Sequence, residues 1–240
     1  MIYDCFIFYN EIKMLEFRLA ELYDYVDYFV IIEADRTFSG TPKKSFFAEN
    51  ISKFEKFKDK IIAGNAIVPE KFKGKWDIEI FQRNHIRNLL DSLYPSDEDL
   101  IIISDIDEIP DRNNLKVGNL EQDLYYYNLE TKLDISWRAA AIIEYKELKK
   151  YDSIQNFRVG NNLPTIKSGW HFSFFGNEEF IANKIRNYFH QENNTEKHTN
   201  LDFIKKCISE KSDLFLREIN INSIQIKDND YLPVNYKMLL

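Results

Sequence analysis

Apolar residues follow two rhythms over the first hundred positions. "YDCFIFY" (Tyr3 to Tyr9) is a nearly unbroken apolar run that stops quickly, as a buried strand does. Ile12, Leu15, Leu19, Leu22 and Val26 then recur at steps of three and four. That spacing predicts one face of a helix, with Glu11, Arg18 and Glu21 off that face. Asn10 stands where a cap belongs, with Glu11 in the first turn. "DYFVIIEAD" (Asp27 to Asp35) reads as a second strand, so this span predicts a βαβ unit with parallel strands. "RTFSGTPK" interrupts with Ser-Gly and Thr-Pro turn signals. A third strand is expected over Lys60 to Pro69, and a helix over Trp76 to Leu93 with Ile78, Phe81, Ile86, Leu89 and Leu93 as its stripe. A fourth strand is expected over Asp99 to Ser104, central and covered on both faces because its apolar run is unbroken.

After Pro110 the rhythm changes. "LYYYNLET", "LDISWRAAAII" and "GWHFSFFG" look like strands with no regular helix between them, so part of the sheet is expected to be antiparallel. Helices follow over Asn177 to Phe189 and Asn200 to Lys211. No repeat or Gly/Ser/Pro linker divides the chain. The fold class expected is α/β, with a mixed, mostly parallel central sheet flanked by helices.

Composition narrows the function. With 240 residues, 44% hydrophobic, the chain can bury a substantial core. A net charge of -7 disfavours nucleic acid as a partner, whose phosphates need basic surface. The basic stretch Lys43 to Lys60 reads first as a solvated helix face, and second as a contact for an anionic membrane or substrate. Cys5 and Cys207 lack metal-type or disulfide-framework spacing and read as reduced, packed thiols. No segment has the apolar length of a transmembrane span, and the N-terminus lacks signal-peptide features. The expected location is cytoplasmic, with peripheral contact to an inner membrane as a further option.

The chemistry gathers at strand ends, where open α/β sheets bind ligands. The first strand runs into Asn10 and Glu11, the second into Glu33 and Asp35, and the fourth into Asp105, Asp107 and Glu108. Carboxylates this close repel each other, and a divalent cation shared with phosphate would relieve that. Capping and turn formation are the competing explanation for an Asp-x-Asp. The EF-hand, P-loop and Gly-x-Gly-x-x-Gly patterns are absent, which leaves phosphate-bearing donors held through metal, nucleotide sugars first among them.

"DCFIFYNEIKMLEFRLAELYDYVDYFVIIEADRTFSGTPKK", "FQRNHIRNLL", "LIIISDIDEIP" and "GWHFSFFGNEEFIANKIRNYFHQE" occur in this order from Asp4 to Glu192. The set resembles glycosyltransferase family 17, which includes β-1,4-mannosyl-glycoprotein N-acetylglucosaminyltransferases. The resemblance implies a GT-A, Rossmann-like fold and inverting transfer from UDP-GlcNAc with Mn²⁺ or Mg²⁺. It divides the chain into a GT-A catalytic domain over 1–199 (a nucleotide-binding part to about 112, an acceptor part after it) and a helix and tail over 200–240 in the same compact unit. The acceptor it implies is a glycan, here a bacterial or viral surface glycan.

The resemblance also assigns roles. Asp107 is the expected direct metal ligand, Asp105 lies near ribose or metal-bound water, and His190 completes the metal site. Gly169 matches the glycine of the donor loop, with an ordinary strand-entry turn as its plainer reading. Glu179, with Glu178 second, is the expected base, although acids at a helix N-terminus are also favoured by the dipole. Arg83, Arg87, Lys184, Arg186 and Lys43 are diphosphate candidates. Glu33 and Asp35 are expected near uridine or ribose. Trp76, Trp137 and Trp170 are candidates for stacking on a sugar. A metal-dependent nucleotidyltransferase or phosphohydrolase, and a non-catalytic sugar-binding module, remain the alternatives.

Overall fold

The computed structural model describes residues 1–72, 75–188 and 190–240. Its elements run β1 (Ile2–Phe8), α1 (Ile12–Leu22), β2 (Tyr28–Ala34), α2 (Phe46–Glu49), β3 (Ile61–Ala66), α3 (Lys75–Asp91), β4 (Leu100–Asp105), β5 (Glu108–Ile109), β6 (Gly118–Tyr126), β7 (Thr131–Trp137), β8 (Ala141–Glu144), α4 (Tyr145–Leu148), α5 (Ile154–Gly160), β9 (Thr165–Ser173), α6 (Glu178–Asn187), α7 (Leu201–Glu210) and β10 (Ile221–Ser223). The helix expected to reach Phe189 stops at Asn187, and Phe189 itself lies outside the described residues.

The sheet is ordered β10-β7-β6-β8-β4-β1-β2-β3, with β9 beside β6 and β5 beside β9. Four neighbours, β3, β2, β1 and β4, are parallel, as a Rossmann-like half requires. β8 turns the direction by pairing antiparallel to β4. β6 is antiparallel to β7 and β8 but parallel to β9. The expected α/β class and mixed sheet are present. Two boundaries differ. "LYYYNLET" straddles the β6–β7 hairpin, where Tyr127 adopts a positive φ of 64°. "LDISWRAAAII" breaks between β7 and β8.

β1 and β4 lie inside the sheet, and Cys5, Phe6, Ile101, Ile102 and Ile103 are fully buried. One core packs α1 against one face, through Leu15, Phe17, Leu19 and Leu22. The other packs α3 and α5 against the opposite face, through Ile86, Leu90, Ile154 and Phe157. Both faces of the parallel half are therefore covered, which is why β4 carries no alternation. A third cluster joins α6 and α7 to β6 and β7.

α1 corrects the helical-face prediction. Arg18 and Glu21 are buried, not solvated. Arg18 reaches across to the sheet and donates to Asp4 at 2.8 and 2.5 Å, and its ring-stacked neighbour is Phe6. Glu21 accepts the Val234 and Asn235 backbone N–H groups at 3.1 and 2.8 Å. The chain's last residues are thus fastened to its first helix, and β10 pairs with β7, so the 200–240 segment shares the sheet and core of the rest. Glu11, not Asn10, is the α1 N-cap residue, and its carboxylate accepts the Tyr9 and Asn10 N–H groups. The two cysteines are buried and free. No helix among the described residues is long and apolar enough to cross a membrane.

Candidate active site

The acids of "SDIDE" end β4 and form a turn that returns as β5. That turn is braced from beneath by Arg18, whose Nη1 donates to the backbone carbonyls of Asp105, Ile106 and Glu108 at 2.7, 3.3 and 3.2 Å. Each acid side chain is then met by a basic group from a different helix.

Asp105 accepts Arg83 from α3 at Oδ1 and Arg158 from α5 at Oδ2, both at 2.7 Å. Burial alone would raise its pKa, but Arg158 and Arg83 outweigh that and the net direction is down. Glu108 is fully buried. It accepts Arg158 at 2.7 and 2.9 Å, the Trp137 indole N–H at 2.5 Å and the Asp105 N–H at 2.7 Å. Glu108 is therefore the anchor of the turn.

Asp107 faces the other way. Its Oδ2 accepts Lys184 of α6 at 2.8 Å, and its Oδ1 lies 3.6 Å from His171 Nε2 on β9. Burial opposes ionisation, but Lys184 and then His171 hold the carboxyl well below the usual range. Lys184 also lies 3.7 Å from Glu11 Oε1 and is pushed above the ordinary lysine value, because Asp107 and Glu11 overcome its burial.

These groups line one cavity of about 470 Å³. One wall is built at the carboxyl ends of the parallel strands: Phe8, Tyr9, Glu11, Thr37, Glu79 and Asp105. The facing wall carries Tyr126, Trp137, His171, Phe174, Lys184 and Arg217. Trp137 packs on His171 at 4.7 Å between centroids. His171 Nδ1 and Glu79 Oε2 are buried without a hydrogen-bond partner. Glu79 holds Arg83 with its other oxygen, and burial raises its carboxyl pKa. The volume falls within the range of small-molecule sites, and aromatic rings with a few polar groups are the usual lining.

Of the residues singled out from sequence, Glu11, Asp105, Asp107, Trp137, Lys184 and His190 line this cavity. Arg83 stands behind it, holding Asp105. Others are employed elsewhere. Glu33 accepts Lys43, Ser45 Oγ at 2.6 Å and the Phe46 and Phe47 N–H groups at 2.7 and 3.1 Å, so it caps α2 and also absorbs Lys43. Asp35 accepts the Val68 N–H at 3.0 Å, and Asn10 leaves its own Oδ1 buried without a partner. Arg87 points away to the Leu148 carbonyl at 2.7 Å, and Arg186 to that of Thr199 at 3.2 Å. Gly169 lies inside β9, not at its entry, where the register against β6 shifts; it stands close to the Ile109–Pro110 backbone and does not line the cavity. Glu178 and Glu179 sit in the first turn of α6, half-buried and exposed, outside the cavity wall. Trp170 is buried against Tyr231.

Sequence reasoning missed Arg158, Glu79 and Arg217. Arg158 had one signal: it is the single charged residue in "IQNFRVG". A lone charge in a short apolar helix needs a partner when buried.

The donor chemistry suits a hard divalent ion: Asp105 and Asp107 are carboxylates at the edge of the cavity, as Mn²⁺ or Mg²⁺ requires. Around the turn, six carboxyl groups (Asp4, Glu11, Glu79, Asp105, Asp107, Glu108) meet four basic side chains (Arg18, Arg83, Arg158, Lys184), an excess of up to two negative charges. The charge therefore fits a divalent cation. The arrangement is not an open cage, since no three His, Cys, Asp or Glu side chains among the described residues converge on one point. His190 instead accompanies Glu192 at 2.6 Å and packs edge-on to Trp76.

The sequence model described as Glycosyltransferase family 17 matches residues 1–218 of the 240. No curated protein matches the chain.

Proposed function

Because the chain belongs to glycosyltransferase family 17, we propose that it transfers N-acetylglucosamine from UDP-GlcNAc to a hydroxyl of a glycan acceptor, with inversion at the anomeric carbon. The family makes it a transferase acting on a sugar donor and an acceptor; the donor sugar, the stereochemistry and the metal are the proposed part. The single observation that carries the reading is the cavity at the strand ends, lined by Asp107 and Lys184 as a pair 2.8 Å apart.

The strand-end wall suits a nucleotide, since ligands of open α/β sheets lie outside the carboxyl ends of the strands. Glu79 offers a buried carboxyl oxygen there without a protein partner, a hydrogen-bonding group for a base or ribose. The aromatic wall suits pyranose rings, with Trp137 and Tyr126 presenting flat apolar faces. Lys184 places an ammonium where a leaving diphosphate gathers charge, and a buried cation is worth more there than in water. A divalent ion bound at Asp107 would neutralise the same charge, with Asp105 held in register by its two arginines.

The test is a panel of UDP-sugars in Mn²⁺, read first as binding heat and then as UDP release. UDP-GlcNAc is expected to bind best, and Asp107→Ala to abolish release. If no nucleotide sugar binds and Asp107→Ala changes nothing, the proposal fails.

A further inference from the structure

We propose that Lys184 is the resident cation of Asp107 in the donor-free protein, and that a divalent ion reaches Asp107 only together with a diphosphate that draws the lysine away. This rests on the glycosyltransferase reading above and adds to it an order of assembly.

The two acids of the motif are held in different ways. Asp105 is gripped by two guanidinium groups, one on each oxygen, and both arginines are themselves tied down: Arg83 to Glu79, and Arg158 to Glu108 and to the Ala139 carbonyl at 3.0 Å. Planar guanidinium forks with several fixed partners do not let go readily. Asp107 is held at Oδ2 by one ammonium on a flexible four-carbon stem, with the His171 ring 3.6 Å from its Oδ1. Lys184 has one further ionic neighbour, Glu11 at 3.7 Å, and the face of Phe174 at 5.9 Å. Its head can swing with only a stem rotation.

Asp107 is the releasable acid, but release has a condition. Withdrawing Lys184 leaves Asp107 with His171 alone, at 3.6 Å, and takes the ammonium from its nearest anion, which is unfavourable for buried charges. A bare divalent ion repairs only Asp107, and it does so beside the displaced ammonium, a like charge. A diphosphate repairs the other half. It offers the ammonium new anionic oxygens while the metal takes Asp107, so every charge stays paired throughout the exchange. The same reasoning explains why carboxylates suited to a metal are found without an open cage: the cage forms when the lysine moves. Metal and nucleotide affinities are then linked, each raising the other by the same factor.

The experiment measures Mn²⁺ binding by water-proton relaxation, with and without saturating UDP, in the full chain and in Lys184→Met and Lys184→Arg. Wild-type protein is expected to bind Mn²⁺ weakly alone and at least about tenfold more tightly with UDP, within the usual range of coupling between sites. Lys184→Met keeps an unbranched stem but removes the charge. It is expected to bind Mn²⁺ alone about tenfold more tightly than wild type and to lose most of the coupling to UDP. Lys184→Arg, which restores a cation but a less releasable one, is expected to bind Mn²⁺ alone no more tightly than wild type and to show weaker coupling to UDP. Equal Mn²⁺ affinity with and without UDP in the wild type overturns the proposal, even where Lys184→Met does not fold. So does a folded Lys184→Met that binds Mn²⁺ no better than wild type. Tight Mn²⁺ binding without UDP, in a protein that still binds UDP-GlcNAc, sinks this inference alone. If neither UDP nor UDP-GlcNAc binds at any Mn²⁺ concentration, the functional reading falls with it.

Discussion

Arg158 and Asp105, fifty-three positions apart, meet at 2.7 Å through Arg158 Nη2 and Asp105 Oδ2. The same guanidinium is the ionic partner of the fully buried Glu108. Replacing Arg158 by Met takes the basic partner from Glu108 and leaves Asp105 with Arg83 alone. Breaking a buried pair by removing one partner costs about 3–5 kcal/mol. Arg158→Met is therefore expected to lower the unfolding free energy by an amount in that range, seen as a lower denaturant midpoint. Arg158→Lys recovers only part, because one ammonium cannot span two carboxylates as a fork does. Guanidinium or urea unfolding of the three proteins measures this.

Asp105 and Asp107 should separate in a two-readout experiment. Asp105 is a brace between α3 and α5, so Asp105→Asn is expected to lower stability as well as activity. Asp107 faces the cavity and one lysine. Asp107→Asn is expected to lose about a hundredfold or more in sugar transfer, a typical loss for a transition-state electrostatic group, with the smaller change in melting temperature of the two. Equal melting shifts in the two variants would contradict the division of labour.

The parallel half of the fold was legible because its signals are local. An unbroken apolar run at Leu100 to Ser104 and a stripe at Ile12 to Leu22 each require only their own neighbours. The cluster of acids at the end of β4 was legible for the same reason. What surrounds it was not. Arg18 fell on the polar side of its helix by periodicity, yet it is buried because Asp4 and three backbone carbonyls of the Asp105 to Glu108 turn wait on the sheet. Glu33 and Asp35 end a strand at the expected edge, but nearby loops consume them as caps and turn braces. Arg158 reaches Asp105 and Glu108 only when α5 packs beside α3. Side chains whose partners lie fifty or more positions away leave no periodic trace.

The pH dependence of stability follows from Asp107 and Asp105, both depressed in the folded chain. A depressed carboxyl contributes its stability above the unfolded-state value, about 3.9 for Asp, and loses it as pH falls toward the folded value. The expected profile is flat across neutral pH and declines below about pH 4. Lys184 works in the opposite direction: its raised value keeps the pair intact until pH exceeds the ordinary lysine range. Denaturant midpoints at pH 3, 5 and 7 test this. Asp107→Asn is expected to flatten the acid limb, and an unchanged slope would exclude Asp107 as its source.

Gly169 separates a structural from a ligand-binding explanation of one motif residue. It adopts φ +95°, a region that favours glycine, and a Cβ there would meet the Ile109 carbonyl oxygen at 2.1 Å and Pro110 Cα at 2.8 Å. Its N–H donates to Tyr231 Oη at 2.8 Å, whose hydroxyl in turn contacts Asp111 at 3.1 Å. The clash falls on the backbone of the segment that follows the Asp105 to Glu108 turn, so it has no flexible neighbour to absorb it. Gly169→Ala is expected to cost about 2–5 kcal/mol from backbone strain and overpacking together. The loss should appear as a lowered melting temperature. Any protein that remains folded should keep its affinity for UDP within a few fold, because Gly169 is not part of the cavity wall. A variant of native stability that no longer binds UDP would return Gly169 to the donor loop.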